Sequence, residues 1–440
     1  KSEFDRELIK LGERYRIMKE ILQFGYLRIV PLPEDDNGTW VWPFSSQLQG
    51  KDQKGNTLAF NLLRNLFDVS QGDSEFKEAK QFLDPLKEHQ WEELKKYEAK
   101  NLHHLRPLTH RHVNIEIAYN KLKIFDKIQS SYFLVGFVLL ALFFIRTLLN
   151  PTLKSESIIR KISYPFIGIL ILVFIAHGVG LGMLWYISGH APWSDAYEAV
   201  IFISWATVLA GLFFIKKNPA VIAVTALLSA LMLFVTELNL LDPEITTLEP
   251  VLKSYWLMIH VAIITASYGF LGISAVLGII NLVLYIAKNN KNKKRLQMNI
   301  VELTSVSEIA MIVGLIMLSI GTFLGGVWAN ESWGRYWGWD PKETWALVSM
   351  LVYAIILHLR WIPAVSNRFL FNVLSMWGYS AILFTFFGVN FILVGLHSYA
   401  QGEGVTEWPT SVIVAIVLFG IFTAIASIKY IIDSRSVKKA

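Results

Sequence analysis

YWLMIHVAIITASYGFLGISAVLGIINLVLYIA, Tyr255 to Ala287, runs without a single Asp, Glu, Lys or Arg. An α-helix rises ~1.5 Å per residue and a bilayer's hydrocarbon core is ~30 Å thick, so a run of this length spans it with room to tilt or project. Its one histidine is His260. Similar runs recur on both sides, at 132–149, 162–186, 197–215, 219–236, 305–327, 342–361, 371–396 and 410–432. They predict an all-α polytopic membrane protein of about nine transmembrane helices. A composition that is 53% hydrophobic with mean hydropathy +0.42 agrees with that class.

Residues 1–130 are different, mixing charges of both signs with modest apolar content. The pattern predicts an amphipathic helix over Ser2–Phe24, short strands near Leu27–Pro33 and Thr39–Pro43, and helices over Leu58–Phe67 and Ser74–Ala99. The expectation is a mixed α/β N-terminal extracytoplasmic domain. Loop charges set the sidedness. Arg160-Lys161, Lys216-Lys217, KNNKNKKR at 288–295, Arg360 with Arg368, and Arg435 with Lys438-Lys439 fall on alternate loops, which are therefore assigned to the cytoplasm. The outward loops are WYISGHAPWSD, LNLLDPEITTLEP, the segment WGRYWGWDPKET at 333–344, and SYAQGEGVTEWP. The chain opens on Lys1 with no early apolar run and reads as one part of a longer polypeptide.

The net charge of +6 calls for no nucleic acid, because basic residues in a membrane protein chiefly set orientation. With no cysteine, the chain supplies no thiolate ligand, disulfide or thiol redox chemistry of its own. Its chemistry-bearing candidates are histidines, because an ionisable group within a span is costly and marks a functional site by default. Imidazole is also an axial ligand of haem iron. His260 lies about five residues inside the outer end of its span and His397 at the outer end of another, within about two helical turns of one level. His358, about 17 residues beyond the tryptophan loop, lies ~25 Å deeper.

The loop has two readings. Trp333, Trp337 and Trp339 are either an interfacial aromatic belt or a shelf for a flat ligand, and glycines at 325, 326, 334 and 338 favour the shelf by letting backbone lie close to something planar. Asp340-Pro341-Lys342-Glu343 is a helix start, with Asp340 as cap. The other outward loop, 185–198, repeats the aromatic, Gly, Pro and acid theme. Trp193, Tyr197 and Glu198 there are candidates for a second wall of the same cleft, or belong to an ordinary ordered loop. His190 reads as an exposed, solvated loop histidine ahead of the alternative of a ligand, and His103, His104, His110 and His112 as surface residues near the membrane ahead of metal or haem contacts.

WGRYWGWDP at 333–341 resembles the tryptophan-rich signature of the haem-handling superfamily that assembles c-type cytochromes. GHAPWSDAYE (189–198), WLMIHVAIITASYGFLG (256–272) and FILVGLHSYA (391–400) are similar to the CcsA component of the system II cytochrome c synthase. The resemblance covers residues 165–432. The part before it looks like the tail of a CcsB (ResB-like) component, as in fused CcsBA chains. The domains implied are 1–130, extracytoplasmic; 131–160, a transmembrane helix and cytoplasmic linker; and 161–440, the CcsA-like membrane domain with its loop at 328–341. Two positions depart from the pattern. Leu184 stands where relatives often carry arginine and Asp195 where they carry asparagine, so no haem-propionate contact is carried onto Leu184.

The resemblance implies haem b as the substrate to be attached, with His260 and His397 as axial ligands of an outer site. Trp333, Trp337, Trp339 and Asp340 would form its haem-facing loop, and His358 would belong to an inner site. The inner site's second ligand is expected upstream of Lys1, because His177 lies ~22 Å above the inner end of its span. The implied partner is apocytochrome c, whose C-x-x-C-H motif brings the thiols. Membrane lipid, an upstream CcsB-like segment or a thiol-reducing protein are the other expected partners. The implied setting is a bacterial cytoplasmic (inner) membrane, with loop and N-terminal domain facing the periplasm, and the implied activity is a holocytochrome c synthase of haem-lyase type. The alternatives are a haem transporter or chaperone without ligase activity, and an ion transporter built on the buried histidines.

Overall fold

The computed structural model describes residues 28–32, 40–43, 45, 48, 51–71, 76–100, 110–149, 153–215, 218–238, 241, 243–245, 254–393 and 409–439. The expected helix at Ser2–Phe24, His103, His104, Lys216, Lys217 and His397 lie outside them. Packing divides the chain into two units, Lys1–Thr109 and His110–Ala440.

In the first unit, β1 (Val30–Pro31) pairs antiparallel with β2 (Trp40–Val41) in the register Val30↔Val41. The unit's other described elements are the helices α1 (Gln53–Gln71) and α2 (Phe76–Lys100). Among the described residues, the expected α/β domain is thus a minimal antiparallel strand pair and two helices. Pro31 inside β1 and Pro43 just past β2 each lack the N–H a longer ladder would need. Val30, Val41, Leu48, Ala59, Leu62 and Leu86 form its core. His89 Nε2 meets Asp52 Oδ2 at 2.8 Å, tying α2 to the start of α1.

The second unit is helical throughout its described length. Its elements are α3 (His110–Leu122), α4 (Ile124–Leu148), α5 (Leu153–Ser188), α6 (Ala196–Phe213) and α7 (Pro219–Glu237). They are followed by α8 (Tyr255–Ala287), α9 (Lys293–Trp333), α10 (Pro341–His358), α11 (Arg368–Leu383) and α12 (Thr410–Lys439). Among the described residues, 9 helices are long and apolar enough to cross a membrane, and each falls on one of the expected spans. Several overrun the apolar run. The first takes in α3, parted from α4 at Lys123, which has φ +43°, and the sixth covers Lys293–Trp333 as one helix, because a helix satisfies its own backbone bonds and continues past the hydrocarbon wherever nothing breaks it.

The packing of α8 on α9 positions the site. A methyl group on Gly314 would fall 2.7 Å from Leu271 side-chain carbons, one on Gly321 2.9 Å from Ile264 Cβ, and one on Gly325 2.6 Å from His260 Cε1. Each step of seven or four along α9 is matched by the same step back along α8, so the helices run antiparallel in fixed register. The small-residue stripe lets the backbones close up where no hydrophobic drive exists between helices in lipid. Toward the other end, Ser274 and Ser307 share a hydrogen bond of 2.8 Å. There Asn372 of α11 donates to Thr304 (2.9 Å) and accepts from Asn281 (2.6 Å), joining three helices through a buried polar knot.

Candidate functional site

His260 sits near the start of α8, its ring against the glycine seat on α9. Its Nδ1 donates to the Gly321 carbonyl at 2.6 Å. A carbonyl only accepts, so the proton is on Nδ1 and the lone pair on Nε2. Metal-ligating histidines are held this way, with a backbone carbonyl fixing tautomer and ring plane. At the neighbouring residue, a methyl on Gly326 would lie 3.0 Å from the Tyr336 carbonyl oxygen. Two consecutive glycines of α9 therefore seat the His260 imidazole and the tryptophan loop side by side.

The loop's shape follows from its local chemistry. Gly334 takes φ +70° and closes α9, its N–H donating to the Asn330 carbonyl at 2.9 Å. Trp333 packs edge-on against buried Trp328 at 4.8 Å, and Trp337 against Trp339 at 5.8 Å. Asp340, 7% exposed, caps α10: its Oδ2 accepts from Lys342 N at 3.1 Å, and Glu343 Oε2 accepts from Gly338 N at 2.7 Å and Asp340 N at 3.3 Å. This is the reciprocal box expected at this helix start. The carboxylate expected to face a ligand is thus turned toward the backbone.

Trp339 is held at φ +58°, a left-handed conformation that a bulky residue adopts at a cost of ~1–2 kcal/mol, while its ring is 70% exposed. Strain of this kind at an exposed aromatic is a mark of a functional position. Trp339→Gly is expected to raise the melting temperature of the purified protein, through ~1 kcal/mol of relieved strain. A thermal melt beside wild type checks the sign.

The 185–198 loop meets the same helix end. Trp193 Nε1 donates to the Met258 carbonyl at 3.0 Å, two residues from His260. Asp195 caps α6 by accepting from Glu198 N at 2.8 Å, and buried Glu198 accepts from Ser194 N at 2.9 Å. His190 is not solvated as expected. Its side chain is 13% exposed, with Nδ1 3.2 Å from the Ala191 carbonyl and 3.7 Å from Glu198 Oε2. His112 is likewise buried, 5.2 Å from the Tyr186 ring, rather than on the surface. Half-buried Tyr197 belongs to the same first turn of α6.

His358 ends the 18-residue α10, ~25 Å from the loop, exposed, with Nδ1 donating to the Ala354 carbonyl at 2.6 Å. His177 is fully buried between Tyr132, whose hydroxyl is 3.3 Å from Nδ1, and Phe125. The structure thus brings His260, the tryptophan loop and the Trp193 loop to one end of the bundle and leaves His358 at the other. Two of the four glycines serve a purpose other than the one expected. The planar groups lying on Gly325 and Gly338 are the chain's own His260 ring and Arg335 guanidinium.

Sequence reasoning missed the end of α11. Phe384–Gly388 forms a π turn, of the kind that collects at functional sites, followed by the short helical turn Val389–Phe391. Asn390 Nδ2 donates to the Phe386 carbonyl at 2.7 Å and its Oδ1 accepts from Lys342 Nζ at 3.0 Å, joining the WDPKE helix start to that turn. An apolar run such as FTFFG carries no signal for an extra residue per turn.

A family model described as Cytochrome C assembly protein matches residues 193–397, from the Trp193 loop through the tryptophan loop to His397. Protein NrfI of Wolinella succinogenes is 40% identical over 405 residues, 92% of this chain and 43% of NrfI. The chain thus spans less than half of that relative. Cytochrome c biogenesis protein CcsA of Guillardia theta is 34% identical over 264 residues, 55% of this chain and 87% of that protein. The CcsA of Prochlorococcus marinus strain MIT 9515 is 33% identical over 310 residues, 64% of this chain and 96% of its own length.

Proposed function

The chain belongs to the CcsA-type cytochrome c assembly family and is a multi-pass membrane protein with a role in cytochrome c maturation, and from that premise we propose that it presents haem at one membrane face and attaches it to apocytochrome c. The observation that carries the reading is the pair of consecutive glycine seats, Gly325 and Gly326, holding the His260 ring and the tryptophan loop together. The donor set suits the substrate. An imidazole with its lone pair on Nε2 suits iron, and the exposed Trp339 beside half-buried Trp333 and Trp337 suits a flat apolar ring.

In this reading His260 and His397 hold the substrate's iron from opposite faces, while Trp333, Trp337 and Trp339 lie against the porphyrin. Trp193, Tyr197 and Glu198 wall the other side. The chain contributes position rather than sulfur, holding the vinyl groups where the C-x-x-C-H thiols reach them. Each thiol adds across one vinyl group: sulfur bonds to one carbon, the thiol hydrogen ends on the other, and no net electron transfer is needed. The histidine of the peptide then takes one axial place and the product leaves.

The basic loops 288–295 and 359–368, at the end of the bundle opposite the tryptophan loop, support placing that loop at the periplasmic face of a bacterial inner membrane. His358 would then receive haem from the cytoplasmic side. The NrfI match reaches into the first unit, which the two CcsA matches need not, and supports reading residues 1–130 as the end of a CcsB-like part in a fused chain. The test supplies purified full chain with haem and a reduced C-x-x-C-H peptide, then looks by mass spectrometry for the thioether product. Product formation is expected. Retained haem without product would make the protein a haem chaperone, and absence of any haem absorbance would leave only transport of other ions.

A further inference from the structure

Arg335, in the middle of the tryptophan loop, has its charge faced by Glu343 in ion-pair range but its Nη1 donor without a hydrogen bond. The Cζ atom lies 5.8 Å from the Trp333 ring centroid, so the guanidinium rests over an indole face. Its nearest carboxylate, Glu343 Oε1, is 3.8 Å from Nη1, too long for a hydrogen bond. The other Glu343 oxygen is occupied by the N–H groups of Gly338 and Asp340. Among the described residues, neither Arg335 Nη1 nor Glu343 Oε1 has a hydrogen-bond partner, and both atoms are shielded from solvent. The seat is also specific. A methyl group on Gly338 would lie 1.2 Å from Arg335 Nη1, so only glycine there allows the guanidinium to fold over the loop.

A shielded donor left unsatisfied is costly, and a bidentate guanidinium is shaped for a carboxylate. Fixed on an indole shelf, it would recognise a ligand with a flat apolar body and a carboxylate at its edge. We propose that Arg335 binds a propionate carboxylate of the substrate haem, fixing the in-plane rotation of the porphyrin and with it which vinyl group faces the incoming peptide. This rests on the loop being haem-facing. Axial histidines alone leave the ring free to turn about the iron–nitrogen axis, and the tryptophans grip it without distinguishing its edges. Arg335 gives the ring one preferred orientation.

The test titrates haem and haem dimethyl ester, whose propionates are uncharged, into the haem-stripped full chain. The proteins compared are wild type, Arg335→Gln, Arg335→Lys and Gly338→Ala. The expected result is that wild type prefers haem over the ester by about tenfold or more, the scale of a charge-assisted hydrogen bond. Arg335→Gln and Gly338→Ala lose most of that preference while the histidine-ligated Soret band persists, and Arg335→Lys keeps part of it. A preference unchanged in Arg335→Gln overturns the proposal. If Arg335→Gln instead loses copurified anionic phospholipid with its haem preference intact, the guanidinium serves a lipid phosphate and the proposal is likewise overturned. Failure of both probes to give a ligated spectrum in any variant overturns the haem reading of the whole site, a result distinct from the other two.

Discussion

On the proposed haem reading, replacing His260 by alanine is expected to abolish a low-spin, histidine-ligated haem spectrum of the purified protein and with it cytochrome c maturation, while the helical circular dichroism stays that of wild type. The imidazole is fixed by the hydrogen bond from Nδ1 to the Gly321 carbonyl, which leaves the basic lone pair on Nε2. Loss of a mere orienting partner costs metal affinity ~10–100-fold, and loss of the ligand costs at least that. The fold itself should tolerate the change, because the ring occupies a glycine seat at the end of the helix pair, beyond the buried Leu271 and Ile264 contacts that hold the helices together. Haem content and spectrum unchanged in His260→Ala would remove this residue from the site.

Gly325→Val is expected to be nearly as severe although it leaves every proposed ligand in place. The first added carbon would stand 2.6 Å from His260 Cε1 and 2.8 Å from Nδ1, inside contact distance, and two further methyls follow. The ring must swing off the Gly321 carbonyl, which removes the bond that fixes its tautomer. Overpacking of this kind costs ~1–3 kcal/mol, too little to unfold a bundle with this much apolar burial but enough to displace one side chain. The measurement is the haem spectrum beside that of Gly420→Val, at a position with nothing within 4 Å of the added carbon. Equal haem binding by the two variants would show that the seat is not needed.

The membrane spans were legible in the sequence because length and apolarity alone decide them, and each expected span carries a helix. The ends were less so. Lys293 lies well outside its apolar run, yet its helix continues, since helix propensity outlasts hydrophobicity, whereas His112 belongs to a separate helix parted from its span at Lys123. The co-location of His260 with the tryptophan loop was also readable, from depth counted along two helices. What was not readable was the use of each glycine. A glycine announces a close approach without saying of what, and those at 325 and 338 approach the chain's own planar groups rather than a ligand. The inward turn of His190, the positive φ of Trp339 and the Lys342–Asn390 bond depend on tertiary neighbours that no local pattern encodes. Asp340 shows the opposite case: its capping role is local, and the motif predicted it outright.

The matched steps along α8 and α9 have a consequence for how this gene can change. Each added residue turns a helix by ~100° and lengthens it by ~1.5 Å. A one-residue insertion between Gly314 and Gly325 would rotate Gly325 away from His260, and Gly326 away from the Tyr336 carbonyl, leaving every side chain present and the site dismantled. Loops such as 288–292 can gain or lose residues without that penalty. Substitutions should therefore be tolerated widely across this helix pair, whereas the spacing between its glycines is the inherited quantity, a length standard written into the chain.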